Sequence, residues 1–215
     1  MKKFLAVFAL LLSSHAFADA PATSFKQGQD FDLTTQVIPT DSQNKIEVVE
    51  LFWYGCPHCY HMEPVLSAWV KKLPADVVFK RIPALPRAEW APMAKAFYAM
   101  EALGVSEKLH TSLFDAIHKT KTLDPTNEVA TMAWITSQSG LDKAKVEEAF
   151  KSFSMNTKLN RASQYFRATG ATGVPSIIID GKYITSSTMA GDNDKALKVA
   201  DYIIGNLRKD NAKKK

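Results

Sequence analysis

The residues able to do chemistry in this chain are concentrated in Cys56-Pro57-His58-Cys59, which holds both of its cysteines. Two cysteines three apart across a helix start can meet disulfide geometry, with Cα atoms about 4.4–6.8 Å apart. The loop closed by such a bond is too small to restrict the unfolded chain much, so reactivity is a better reason for the pair than stability. Cys56 is expected at a helix N-terminus, where free N–H groups and the positive end of the dipole favour a thiolate. His58 can add positive charge or a hydrogen bond, and no Asp or Glu lies between Gly55 and Met62 to oppose it. Cys59, one turn further in, is the natural resolving thiol. Stabilising the Cys56 thiolate favours the reduced pair, which makes the disulfide oxidising and ready to be handed on. Two other readings use the same residues. Cys56, His58, Cys59 and His61 are four possible metal ligands, but a structural zinc site uses a second ligand pair farther along and none is offered. A purely structural clasp is the other. His15, His110 and His118 stand isolated and call for no role.

The pair needs a strand before it and a helix after it, and the local sequence supplies both. Ile46 to Tyr54 is nearly all apolar and β-prone, as for a strand buried on both faces. Pro57 suits the first helical position, where its missing N–H is no loss. His58 to Lys72 reads as helix, with Val65, Leu66, Trp69 and Val70 on an apolar face and Pro64 as a kink. Pro74 closes the unit and Val77 to Ile82 is the next strand, completing βαβ. Phe31 to Thr34 is a short strand candidate.

From Ala88 to Thr169 no convincing strand occurs. Trp90, Ala94, Phe97, Tyr98 and Leu103 recur at helical spacing up to Gly104. Ser106 can cap a second helix carrying Leu109, Leu113, Phe114 and Ile117. Asp124-Pro125 reads as cap and first-turn proline of a third, ended by Gly140. Asp142 to Phe153 and Ser154 to Thr169 read as two more. Strand character returns at Ser176 to Ile179, Asp180-Gly181 is a two-residue hairpin turn, Lys182 to Thr185 is the return strand, and Asp192 to Leu207 is a final amphipathic helix.

One strand face raises a separate question. Ile46, Val48, Glu50 and Phe52 share it, so Glu50 interrupts an apolar row. A buried carboxylate is costly unless paired or used. Lys80, on the neighbouring expected strand, could pair it. A proton relay for Cys59 is one reading of Glu50, and an ordinary salt bridge is the other.

The chain has 215 residues, 46% of them hydrophobic and 23% charged, enough for one or two globular domains. Lys2 and Lys3, the apolar run Phe4 to Leu12, and Ala16-Phe17-Ala18 have the order of a secretory signal peptide cut after Ala18. The run is too short for a membrane anchor, which needs about 20 residues. Export puts the cysteines where disulfides persist. The net charge of +5 sits mostly at the ends, and Asp19 to Leu207 carries 20 basic against 21 acidic residues. A nucleic-acid partner, which wants a basic face on the folded domain, is therefore set aside. Residues 208–215 read as a basic disordered tail.

Cys-Pro-His-Cys after a buried strand, the long helical block, and Gly173-Val174-Pro175 before a hairpin together resemble the DsbA family of periplasmic disulfide oxidases. Pro64, eight residues after Cys56, also matches the helix-kinking proline of thioredoxins. The resemblance implies an α/β chain with a thioredoxin-like fold and an inserted all-helical domain: residues 19–85 and 170–207 would form the first, 86–169 the second. It implies that Cys56 is the nucleophile and Cys59 its partner in a redox disulfide, with Pro57 and His58 between them. Val174 and Pro175 look like the cis-proline loop that packs beside the disulfide and helps hold substrate peptide. Glu50 and Lys80 look like a buried acid–lysine pair beneath it. A periplasmic monomer is expected, without cofactor or metal, acting on newly exported or unfolded cysteine-containing proteins. A DsbB-like, quinone-linked membrane protein would reoxidise it. An isomerase or reductase, and a peptide-binding chaperone with an incidental disulfide, are the alternatives. The Trp53-Tyr54-Gly55 approach is expected to form an exposed apolar surface around Cys56.

Overall fold

A computed structural model of the chain describes residues 24–42 and 44–213. The expected signal peptide and its cleavage site lie outside them. Five strands form one sheet in the order β1-β5-β4-β2-β3: β1 is Asp32–Leu33, β2 Ile46–Phe52, β3 Val77–Pro83, β4 Ser176–Ile179 and β5 Tyr183–Thr185. β2 pairs parallel with β3 and antiparallel with β4, and every one of its seven residues is buried. That two-sided burial explains the almost unbroken apolar run of its sequence. A parallel pair needs a crossover, and α1, Pro57–Val70, provides it. Pro64 lies inside α1, which continues past it for six more residues.

After a 3₁₀ turn at Ala88–Trp90, five helices follow without a strand: α2 Ala91–Ala102, α3 Ser106–His118, α4 Glu128–Ser139, α5 Lys143–Phe150 and α6 Phe153–Thr169. Two helix starts differ from expectation. Ser106 is the first residue of α3 and not its cap. Asp124 does not open α4. Its carboxylate accepts from the Thr126 N–H and hydroxyl in a turn of its own, and Asn127 caps α4 by accepting from the Ala130 N–H at 3.0 Å. Both sites carry good cap residues, and the turn at Asp124 consumes the first.

The hairpin follows its sequence closely. Asp180 and Gly181 both have positive φ, 52° and 62°, as a type I′ turn requires. A side chain at Gly181 would strike the Ile38 carbonyl, so this position also needs glycine for space. After a short α7, Ser187–Ala190, the last helix α8 runs Asn193–Lys213. The basic tail expected at 208–215 is therefore helical through Lys213. Arg208 forks onto Asp76 at 2.6 and 2.7 Å, and Leu207 packs on the core, which extends the helix beyond its amphipathic part.

Burial divides into three clusters, all reached by β2. Ile46 and Val48 face Met62 and Leu66 of α1 and the apolar side of α8. Val49 and Leu51, on the other face, meet Ile178, Ile184 and Phe166. Phe52 and Tyr54, where the strand ends, join Cys56 and Cys59 to Met93, Phe97, Leu113 and Phe114 of the helical segment. At roughly 25 cal/mol per Å² of apolar surface, a buried Phe, Leu or Met contributes about 1.5–3 kcal/mol. The third cluster thus fixes the cysteine pair where strand, α1 and helical segment meet.

Candidate active site

Cys56 occupies the N-cap of α1 with extended backbone (φ −90°, ψ 118°), and Pro57 takes the first turn. Pro57 and His58 are exposed, whereas Cys56 is 8% accessible and Cys59 not at all. Both sulfurs are free thiols in this structure. Cys56 Sγ lies 3.4 Å from the carbonyl of Val174, and Val174–Pro175 is a cis peptide. The loop singled out in the sequence therefore does stand beside Cys56.

The two sulfurs have opposite acidities. The Cys56 thiol is lowered to about 6. The Cys59 side chain is the main donor to it, and burial opposes this. The backbone N–H groups of Cys59 and His58 and the charge of His58 add smaller contributions. The helix start and His58 both pull the thiol down, and the partner sulfur does so more strongly than either. Cys59 is held well above the ordinary thiol range, first by burial, then by donating to Cys56 and by the negative charges of Cys56 and Glu50.

Glu50 is 1% accessible, and its carboxyl is pushed up to about 7, with burial the chief cause and Arg81 opposing it. Its ion partner is Arg81, whose Nε donates to Glu50 Oε2 at 2.9 Å. Lys80, the expected partner, lies elsewhere: its Nζ sits 2.6 Å from Glu47 and 2.7 Å from Asp41. Register explains the correction. Glu50 is opposite Arg81 in the β2–β3 ladder and Lys80 opposite Val49, so Lys80 projects to the other face with Glu47.

Further polar residues gather behind the cysteines. Arg81 Nη2 forks onto both oxygens of Glu63 in α1, at 3.0 and 3.1 Å. Glu63 also meets His110 Nε2 of α3 at 3.2 Å, and His110 Nδ1 meets the Tyr54 hydroxyl at 2.6 Å. His118 Nε2 donates to the Tyr54 carbonyl at 2.7 Å, and its ring stacks on Tyr60, whose hydroxyl donates to Asp115. His110 and His118, isolated in sequence, are thus partners of the residue that leads into the active-site turn. Glu63 and His110 were detectable in principle: Glu63 follows Cys59 by four on the buried stripe of α1, and His110 precedes Leu113, Phe114 and Ile117 on that of α3.

The approach to Cys56 is not the exposed apolar surface expected. Tyr54 is fully buried, and Trp53 stacks on Trp90 with ring centroids 4.3 Å apart and planes within 6°. The Trp53 ring covers Gly55 so closely that any side chain there would overlap it. A groove of about 770 Å³ opens beside the proline loop. His58 and His61 line it with the proline loop and Ser186–Met189, a mixed polar and apolar wall. Among the described residues no group of three or more His, Cys, Asp or Glu could hold a metal ion.

An acidic thiol above a shielded one, on a sheet of this order, defines a thioredoxin-fold thiol–disulfide oxidoreductase. Comparison with known proteins narrows that class. Residues 47–203 match the DSBA-like thioredoxin domain family. The chain is 36% identical to the thiol:disulfide interchange protein DsbA of Burkholderia cepacia over 95% of its length and 96% of the relative's. With that of Azotobacter vinelandii it shares 40% identity over 90% and 89%. The crystal structure of Pseudomonas aeruginosa DsbA superposes with a TM-score of 0.81 at 38% identity, covering 89% of this chain and 97% of that one. The oxidoreductase DsbA of Xylella fastidiosa gives 0.79 at 30% identity over 84% and 96%. The chain belongs to the DsbA family, and its fold and thiol:disulfide oxidoreductase activity are those of that family.

Proposed function

We propose that the protein donates a Cys56–Cys59 disulfide to cysteine-containing proteins as they are exported, and that Cys56 is the sulfur attacked. The observation that carries this reading is the lowered pKa of the Cys56 thiol, at the open helix start beside Val174, against the raised one of the fully buried Cys59. A substrate thiolate attacks Cys56 Sγ of the oxidised pair. The Cys56–Cys59 bond breaks, Cys59 leaves with the electron pair, and a substrate–Cys56 disulfide forms. A second substrate thiolate then attacks the substrate sulfur, and Cys56 leaves as its stabilised thiolate. The substrate loses two electrons and the enzyme gains them.

Cys59 leaves into a buried site and needs a proton there. Glu50, which titrates near neutral pH and has one oxygen without a hydrogen-bond partner, is suited to supply it. Val174 and Pro175 hold substrate backbone beside Cys56, and the groove past His58 receives the chain around the reacting cysteine. Residues 19–85 and 170–207 act as the thioredoxin-like unit, with 86–169 as a helical insertion. The protein works as a periplasmic monomer after removal of its signal peptide, and a DsbB-like membrane protein reoxidises it.

Mixing the oxidised protein with a reduced, unfolded two-cysteine substrate tests the donor assignment. Transfer within seconds, with a glutathione equilibrium well above the thioredoxin potential of about −270 mV, is expected. A potential at or below that value contradicts donation. Glu50→Gln tests the relay: alkylation of Cys59 should lose its dependence on pH around neutrality, and an unchanged profile removes the relay.

A further inference from the structure

The polar residues behind the cysteines form one chain from α3 to β2: Tyr54, His110, Glu63, Arg81, Glu50. Each lies 20% or less exposed at its side chain or is a buried residue. Its geometry is unequal at the two carboxylates. Arg81 places Nη2 on both oxygens of Glu63 and only Nε on Glu50, so Glu50 keeps Oε1 without a partner. An arginine fork spent wholly on Glu50 would make an ordinary two-pronged ion pair and hold that carboxyl permanently ionised.

The hydrogen-bond directions follow from the partners. Glu63 also accepts from the Ser67 hydroxyl, and its carboxyl is lowered despite burial, with His110 the largest favourable cause. An ionised Glu63 only accepts, so His110 Nε2 carries the proton toward it. Burial holds His110 neutral, which leaves Nδ1 to accept from Tyr54, whose own hydroxyl burial keeps protonated. One neutral tautomer satisfies every group in the chain.

We infer that His110 and Glu63 are positioning residues that draw Arg81 away from Glu50, leaving Glu50 a half-paired carboxyl able to exchange a proton beneath Cys59. The value of this for Cys59 rests on the relay reading above. The ionisation of Glu50 itself does not. The groups that face Glu50 are Arg81 from β3, Glu63 from α1, Cys56 and Cys59 at the helix start, and Tyr54 after β2. Among them Glu63 is the like charge that keeps Glu50 from ionising early, and His110 keeps Glu63 charged. The helical segment thereby acts on the chemistry of the sheet through a buried hydrogen-bonded contact.

The test is a carbon-detected NMR titration of the Glu50 side chain in the reduced full chain, with Cys59 alkylation followed over the same pH range. In Glu63→Gln, Arg81 is released to Glu50 and the Glu50 midpoint should fall by about one pH unit or more. His110→Phe should lower it in the same direction by less. His110→Asn, which can still offer an N–H to Glu63, should hold it nearer the wild type and serves where the Glu63 variant does not fold. Glu50 midpoints unmoved in folded Glu63→Gln and His110→Phe overturn the inference, even if Glu50→Gln alters Cys59. Midpoints that move while Cys59 alkylation ignores them support the inference and sink the relay.

Discussion

Two sulfurs three residues apart live in opposite surroundings, and the contrast explains the chemistry better than either site alone. Cys56 lies at the open end of a helix, with donors on several sides: the Cys59 thiol, two backbone N–H groups and the charge of His58. Cys59 lies one turn deeper, without exposure, above a buried carboxyl and its network. Burial disfavours the anion at both sulfurs. Donors overcome it only at Cys56, while at Cys59 neighbouring negative charge adds to it. A two-step exchange needs this asymmetry, because one sulfur must be attacked and leave easily while the other stays inert until its partner is engaged.

The most drastic way to break the contrast is to remove one sulfur at a time. Cys56→Ser should abolish disulfide exchange, by a thousandfold or more. Cys59→Ser should still react through Cys56 but stall as a mixed disulfide, visible on a non-reducing gel. Equal loss in both variants, with no trapped species, contradicts the division of roles.

A second comparison sets Arg81 against Lys80, adjacent on β3 and on opposite faces. Arg81→Met leaves Glu50 and Glu63 buried without their cation and should cost about 3–5 kcal/mol in denaturant unfolding. Lys80→Met removes a half-exposed cation from exposed Asp41 and buried Glu47, which keeps the Asp41 N–H as a partner, and should cost less, about 1–2 kcal/mol. Similar losses would mean that the two faces are not distinguished as described.

The smallest effect is expected farthest from the sulfurs. Arg208→Ala should speed amide exchange in the last turns of α8 and leave the redox equilibrium unchanged. A shift in that equilibrium would mean that this end of the fold reaches the active site.

How much of this was legible depended on whether the signal was local. Cys-Pro-His-Cys, the buried run of β2 and the Asp180-Gly181 turn each carry their instruction within a few residues, and each formed where expected. The partner of Glu50 depends on strand register, and a shift of one residue exchanges Arg81 for Lys80 by turning the side chain to the other face. Nothing in the sequence of β3 alone specifies that register. The network behind Cys59 lies between these cases. Glu63 and His110 interrupt apolar helical stripes, which marks them as unusual, but only tertiary packing joins α1 to α3. The helical end of α8 was missed because its cationic run resembles a solvated tail, and the fork of Arg208 onto Asp76 crosses 132 residues.

The asymmetry of the sulfurs also fixes a dependence on pH. Cys56 has a folded value below that of a free thiol, so its stabilisation of the reduced fold is complete above about pH 8.5 and is lost as pH falls through about 6. The most direct measurement of the central claim is the thiolate absorbance near 240 nm, titrated in the reduced protein and referenced to the oxidised one. One thiolate should appear with a midpoint about 6, and no second should appear below pH 9. A single transition near 8.5, or two overlapping ones, would contradict the claim that Cys56 is the acidic, attacked sulfur and Cys59 its shielded partner.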